Sequence, residues 1–515
     1  MDWFNLTLRW YLLTTASTIA LAPIALWLCS GLVDRGASVA RPIAALVMIW
    51  PIWYLAGIGS GIVPFSVAPL WVALVVIGAA SWAFAWRIKL VDRITIRHLL
   101  IAEIGFLLFF ALYIWFHGYG PQITDQEKPG DMMMLASSMR STQMPPNDAW
   151  MAGDTINYYY LGYVIWAAVA KMVGATPWEA FNLTLATTFG ITCVGAAGLA
   201  ANIAGRWLKE NVARLVGLLG LLFVVFMGNP WAAFKSLDHW SSLWKLDFFS
   251  GIGWPASRVI HDVITTPPDT IISEFPAFSF ILADLHPHLL TLPFAIVSLS
   301  LGWALLQGFK AGSLYTVEAM GRVVLTGGII GALYAMNSWD MPTYLVLAAI
   351  ALVISTVGFA ARERVVSVVV LAVSAVIAWL PFYINFTAPT KPGQTGLART
   401  MGDIPVVGGV LASIVSYHGS RTSAIEYLDV FGFVWVIAVV LIAAEFWNRR
   451  HAHVDPLNSR LALGAAAILI LGALLIPMPV LALAGLPVVA TVVLIQRDPR
   501  VTIANVALGL FSFGF

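Results

Sequence analysis

Charge is what this sequence has least of. Only 10% of its 515 residues are Asp, Glu, Lys or Arg, while 60% are hydrophobic. Water-soluble domains carry about 25% charged residues, so a soluble globular fold is excluded. Cysteine is scarce as well. Cys29 and Cys193 lie in separate apolar runs, which argues against a structural disulfide and against a thiolate metal centre. The first 32 residues lack the basic start and small-residue cleavage motif of a signal peptide, so residues 10–32 read as a retained membrane span. The alternation of polar and apolar positions that marks a β-barrel is also missing. A net charge of +2 gives no case for a nucleic-acid partner.

What is present is a succession of continuous apolar runs, each of about 20 residues. They fall at 10–32, 42–60, 65–86, 98–116, 178–203, 213–228, 289–307, 323–339, 342–360, 365–382, 430–447, 461–477 and 480–495. This pattern predicts an all-α, polytopic transmembrane helix bundle of about thirteen spans in the cell membrane. The chain closes on "LGLFSFGF", inside an apolar run, and so reads as the truncated form of a longer one.

Basic residues orient the spans. Arg87, Lys89, Arg93 and Arg97 make the stretch 87–98 cytoplasmic under the positive-inside rule, and residues 117–155 then lie outside. The next basic cluster, Arg206, Lys209 and Arg214, is also cytoplasmic only if one of the two apolar runs after residue 155 fails to cross. The run 156–173, with three tyrosines, Asn157 and Lys171, is the weaker of the two. It is expected to lie against the outer surface or to re-enter, while 178–203 crosses. Long loops at 117–177, 229–288 and 383–429 put the polar chemistry on the extracytoplasmic face.

Those loops carry four polar constellations. The first brings Asp125, Glu127 and Asp131 together, with Lys128 and Arg140 close by. Acids just outside the bilayer suit general-base chemistry on a membrane-borne substrate, or are ordinary solvated charges. "PPNDAWMAGDTINYYYLGY" adds Asp148, Asp154, Asn157, Tyr158, Tyr159 and Tyr160. On a helix Asp154 and Tyr158 would share a face, which favours Tyr158 for a pocket; alternatively Asp154 caps that helix. The second constellation places Glu274, Asp284, His286 and His288 immediately before a span. These form either a polar cluster lining a pocket or, with Asp284, metal ligands, although no HExxH-type spacing is present. The third is Asn337, Trp339 and Asp340 at a span end broken by Pro342, either a site or an interfacial turn. The last is Lys391, Arg399 and Arg421, suited to a lipid phosphate or tolerated in a long loop. Trp231, Trp240, Trp244 and Trp254 read as interface anchors or sugar-stacking platforms.

The motifs "EKPGD", "PPNDAWMAGDTINYYYLGY", "EFPAFSFILADLHPHLLTLPF" and "NSWDMPTY" resemble the uncharacterised YYY-type polytopic membrane protein family, named for its tyrosine triplet. That family is grouped with the C-type glycosyltransferase superfamily. The resemblance implies a catalytic membrane core over 98–390, N-terminal membrane helices over 1–97, and an outer loop with C-terminal helices over 391–515. It implies a juxtamembrane helix, a polyprenyl-phosphate-linked sugar donor, and a glycan, lipid or protein acceptor. Glu127 and Asp131 occupy the catalytic-acid position. Because Lys128, Pro129 and Gly130 separate them, the usual adjacent acid pair is absent and either acid fits the role of base. Lys128, Arg140 and Arg399 would hold the phosphate, with Asp284, His286, His288, Trp339 and Asp340 around the sugar. No cofactor is called for, although the acids leave room for a divalent cation. A transporter or lipid-handling protein is the alternative; it would place polar groups mid-span in repeated halves, whereas mid-span charges such as Glu103 are few.

Overall fold

A computed structural model describes residues 3–58, 63–238, 249–262, 269–309, 312–387 and 422–448, with scattered positions between 463 and 490. Lys391, Arg399, Arg421, Trp240 and Trp244 lie outside the described residues, as does most of the expected spans 461–477 and 480–495.

In chain order the helices are α1 (Trp3–Leu28), α2 (Ala40–Gly57), α3 (Val67–Arg87), α4 (Arg93–His117), α5 (Lys128–Arg140), α6 (Leu161–Val173), α7 (Pro177–Ala204) and α8 (Glu210–Leu221). They continue with α9 (Pro230–Asp238), α10 (Trp254–Ala256), α11 (Pro276–Leu282), α12 (Pro287–Leu306), α13 (Val317–Met336), α14 (Asp340–Ser355), α15 (Ala361–Ile377), α16 (Leu380–Asn385) and α17 (Ala424–Asn448). Local chemistry sets several of these boundaries. Asp92 accepts from the Thr95 amide to start α4. Thr176 and Glu179 form a capping box at α7, with Pro177 in its first turn.

Two compact units emerge: residues 1–226 with 280–416, and residues 227–279 with 417–515. Within the first unit α1 packs directly on α6 and α13. The second unit holds α9 against α17 and a small antiparallel ribbon, Ile260–Asp262 with Asp269–Ile271.

Among the described residues, eight helices are long and apolar enough to cross a membrane. The expected spans 342–360 and 365–382 appear as the shorter α14 and α15, of 16 and 17 residues. The expected span 213–228 falls on α8 and the π-helical turn over Leu222–Phe226 that continues it.

Side-chain bonds sort the links of the first unit into two ends. At one end Arg35 meets Asp92 (2.8 Å), Arg97 meets Glu210 (2.8 Å) and Asn202 bonds Asp34 (2.8 Å). At the other, His117 meets Asn182 (2.8 Å) and Lys171 donates to the carbonyls of Phe65 and Ser141 (2.6 Å each). The basic links 87–98 and 205–214 therefore share an end. This leaves no crossing for α6. Its 13 residues extend about 20 Å, short of a hydrocarbon core about 30 Å thick. It does not lie on a membrane surface either: Tyr163 to Ala168 are at most 1% exposed, enclosed by neighbouring helices.

Helices α13 and α15 approach closely at glycines. A Cβ at Gly331 would come within 2.1 Å of the Ala375 carbonyl oxygen, and one at Gly327 within 2.3 Å of that of Leu371. Small residues at such crossings let membrane helices pack on their backbones. Gly331→Val is expected to destabilise the protein by about 3 kcal/mol, read as a lower thermal midpoint in detergent. An unchanged midpoint would overturn this packing.

Candidate functional site

The end that carries Lys171 and Asn182 also carries the polar motifs. After α4 the chain turns through Asp125 and Gln126, both at positive φ (67° and 52°), and enters α5. For Gln126 this left-handed backbone is costly, and such strain concentrates at functional sites. It presents the first turn of α5 to an open cavity of about 360 Å³. Glu127, Asp131, Met134, Trp150, Tyr158 and His286 line it.

Two acid arrangements meet here, and they differ in kind. Glu127 is exposed at the start of α5, and its Oε2 lies 2.9 Å from His286 Nε2. The Tyr158 hydroxyl approaches the same nitrogen at 3.5 Å. On the far side of the ring, His286 Nδ1 lies 2.8 Å from His288 Nδ1, so one imidazole donates to the other. His288 is in turn within electrostatic reach of Asp340. The result is a polar line, Glu127–His286–His288, running from the cavity toward α14.

Asp131 is buried, at 4% exposure, and its Oδ1 accepts from the Tyr163 hydroxyl. Its other neighbour is the carboxyl of Asp284, which follows Ala283 at φ 58°. Asp131 Oδ2 and Asp284 Oδ1 are buried with no other donor. Burial, then the hydrogen bond and charge of Asp284, push the Asp131 carboxyl well above the usual carboxylate range. Two carboxyls set together out of water disfavour a charge on both. Lys128 nearby is pulled down by burial and pushed back up by Asp284 and Asp125. The Tyr158 hydroxyl is pushed up to about 12, first by burial and then by Glu127 and Asp131.

The remaining motif residues are sorted by the fold. Asp148 caps a tight turn, accepting from the Trp150 and Met151 amides (2.8 and 3.1 Å), while Asp154 is exposed and closes that turn with its backbone. The expected helical face shared by Asp154 and Tyr158 does not form. Residues 154–160 are non-helical and α6 begins only at Leu161, because Asn157 is clamped to the Thr387 backbone by two bonds (2.8 and 2.9 Å). The tyrosines consequently point three ways. Tyr158 faces the cavity, Tyr159 bonds Ser338 (2.8 Å) and packs at a tilt against Phe386, and Tyr160 is buried against Phe382.

Asn337 donates to Asp340 (3.0 Å) at the start of α14, and Trp339 beside them is exposed. Arg140 is exposed at the last turn of α5, about 13 Å along the helix from Asp131. Glu274 belongs to the second unit, where it pairs with Arg258 (3.5 Å). Asp284 faces Asp131 rather than joining the histidines. Among the described residues no three His, Cys, Asp or Glu side chains gather as a metal-ligand set. Two aromatic residues here were not singled out from the sequence: Trp150, inside "NDAWMAGD", which lines the cavity, and Tyr163, the fourth tyrosine of "YYYLGY", which is buried behind it and donates to Asp131. Their signal was present but ambiguous, since aromatic residues at a membrane interface serve as anchors by default.

The chain's relations agree with a membrane bundle. A family model described as "Uncharacterized membrane protein (DUF2298)" matches residues 47–515. No curated protein and no solved structure matches the chain. With about nine-tenths of its length matched and eight helices fit to span a bilayer, the chain belongs to this family of uncharacterized membrane proteins.

Proposed function

We propose that this protein is a C-type membrane glycosyltransferase, a bundle of about thirteen spans that moves a sugar from a polyprenyl-phosphate donor to an acceptor at the extracytoplasmic face. The observation that carries the reading is the Glu127–His286 contact of 2.9 Å at a cavity with two aromatic walls, Trp150 and Tyr158. Sugars stack on aromatic faces and hydrogen-bond to acids and imidazoles. The acceptor hydroxyl attacks the anomeric carbon while the carbon–phosphate oxygen bond breaks. Glu127, held by His286, takes the hydroxyl proton, and the bonding pair leaves with the phosphate. Lys128 and the positive end of α5 offset that developing charge. Asp131 is unsuited to be the base, because it is buried against Asp284 and out of solvent.

A transporter would use a mid-membrane polar site open to a substrate. The half-buried Arg41–Glu103 pair (2.5 Å) is instead closed by Tyr11 and Thr15 and adjoins a void of only about 30 Å³, enough for a single water. This favours the enzyme. Deleting the gene and profiling surface glycans and glycolipids by mass spectrometry should show loss of one sugar from a glycoconjugate. An unchanged profile would remove the transferase reading.

A further inference from the structure

The opposite end of the first unit holds a second open cavity, of about 300 Å³, between the start of α4 and the link from α7 to α8. Its walls mix Arg97, His98 and Glu210 with the side chains of Val33, Ile94 and Leu208. The apolar walls are open: Val33, Ile94 and Leu208 are 40%, 52% and 45% exposed. The acids at this end are already engaged. Asp34 accepts from Asn202 and the Gly36 amide, Asp92 takes Arg35 and Thr95, and Glu210 takes both Arg97 (2.8 Å) and Arg214 (2.5 Å). Arg93, Arg206 and Lys209, beside the lining residues in sequence, have no ion-pair partner among the described residues. Trp207 is exposed between them and packs on Trp303 at 6.1 Å.

Because α4 and α7 are candidate spans, this cavity sits at the level where their ends meet the bilayer's head groups. Unpaired cations one residue along the chain from open apolar walls (Arg93 beside Ile94, Arg206 beside Gly205, Lys209 beside Leu208) are complementary to one class of ligand, a phosphate diester carrying acyl chains. We propose that this cavity is a binding site for an anionic phospholipid. Arg206, Lys209 and Arg93 meet the headgroup phosphate, and Val33, Ile94 and Leu208 line the acyl chains. Trp207 anchors the link at the interface. The site is separate from the Glu127 cavity and does not depend on what that cavity does.

The test uses the purified full chain in neutral detergent, probed with phosphatidylglycerol, phosphatidylcholine, and glycerol phosphate without acyl chains, and read by native mass spectrometry. Phosphatidylglycerol should remain bound where phosphatidylcholine and glycerol phosphate do not. Each cation removed, as Arg206→Gln or Lys209→Gln, should weaken retention about fivefold; both lie on the surface, so the fold is kept. Glu210→Gln should strengthen it, because a carboxylate leaves the site and Arg97 is freed. Equal retention of phosphatidylcholine, or retention unmoved in the Arg206→Gln/Lys209→Gln double variant, would overturn the proposal. Equally tight glycerol phosphate would also overturn it, since the site would then recognise phosphate without a lipid.

Discussion

Glu127→Gln should lower sugar transfer by about 10²–10⁴-fold, the range a positioned general base contributes, while Asp131→Asn retains most of it. The two acids sit four residues apart on α5 but in opposite situations. Glu127 is exposed, faces the cavity and lies 2.9 Å from His286 Nε2, within reach of a bound substrate. Asp131 is buried, bonded to Tyr163 and paired with Asp284. Because Glu127 makes no capping bond to α5, its replacement should change stability by no more than about 0.5 kcal/mol. Release of polyprenyl phosphate from a synthetic lipid-linked sugar, measured with purified protein, checks the pair of variants. The inverse result, an active Glu127→Gln and an inactive Asp131→Asn, would move the base to Asp131.

A second large effect concerns stability. In the folded state burial and Asp284 raise the Asp131 carboxyl far above its unfolded value of about 3.9. The folded protein therefore holds a proton that the unfolded chain releases. This contribution is fully present below the unfolded value and is lost as pH rises through the raised folded value. The thermal midpoint should fall with rising pH over that window. Asp131→Asn should flatten the slope and be no less stable than wild type at neutral pH. A carboxamide can accept from Tyr163 and donate to Asp284 without needing that proton. Asp131→Ala should instead cost about 1–3 kcal/mol, because Tyr163 and Asp284 are left buried without their partner. Thermal midpoints of the three proteins across neutral to alkaline pH decide this. A wild-type slope that persists in Asp131→Asn would assign the effect to another group.

The tyrosine triplet shows where reading the chain locally stops. An apolar run entered through Tyr158, Tyr159 and Tyr160 has the hydropathy of a helix from residue 156 on. Yet α6 starts at Leu161, because Asn157 spends both halves of its amide on Thr387, 230 residues away. Asp284 and the histidines were legible as a polar cluster, but not its division. Spacing places Asp284, His286 and His288 together, whereas Asp284 faces α5 and the imidazoles face Glu127. Local spacing cannot predict which side of a turn each side chain takes when its partner lies more than 120 residues away.

Hydropathy and charge act over windows of about 20 residues, so the sequence by itself determined that this is a polytopic membrane protein and which stretches carry its polar chemistry. It also marked the run 156–173 as the weaker of the two candidates for crossing after residue 155. Only the tertiary structure decided that α6 is enclosed by protein rather than laid on a surface, that Asp131 is buried against Asp284, and that Glu127 meets His286. Each of those outcomes depends on how α5 packs against the segment before α12, and a contact spanning some 150 residues has no signature in either stretch alone.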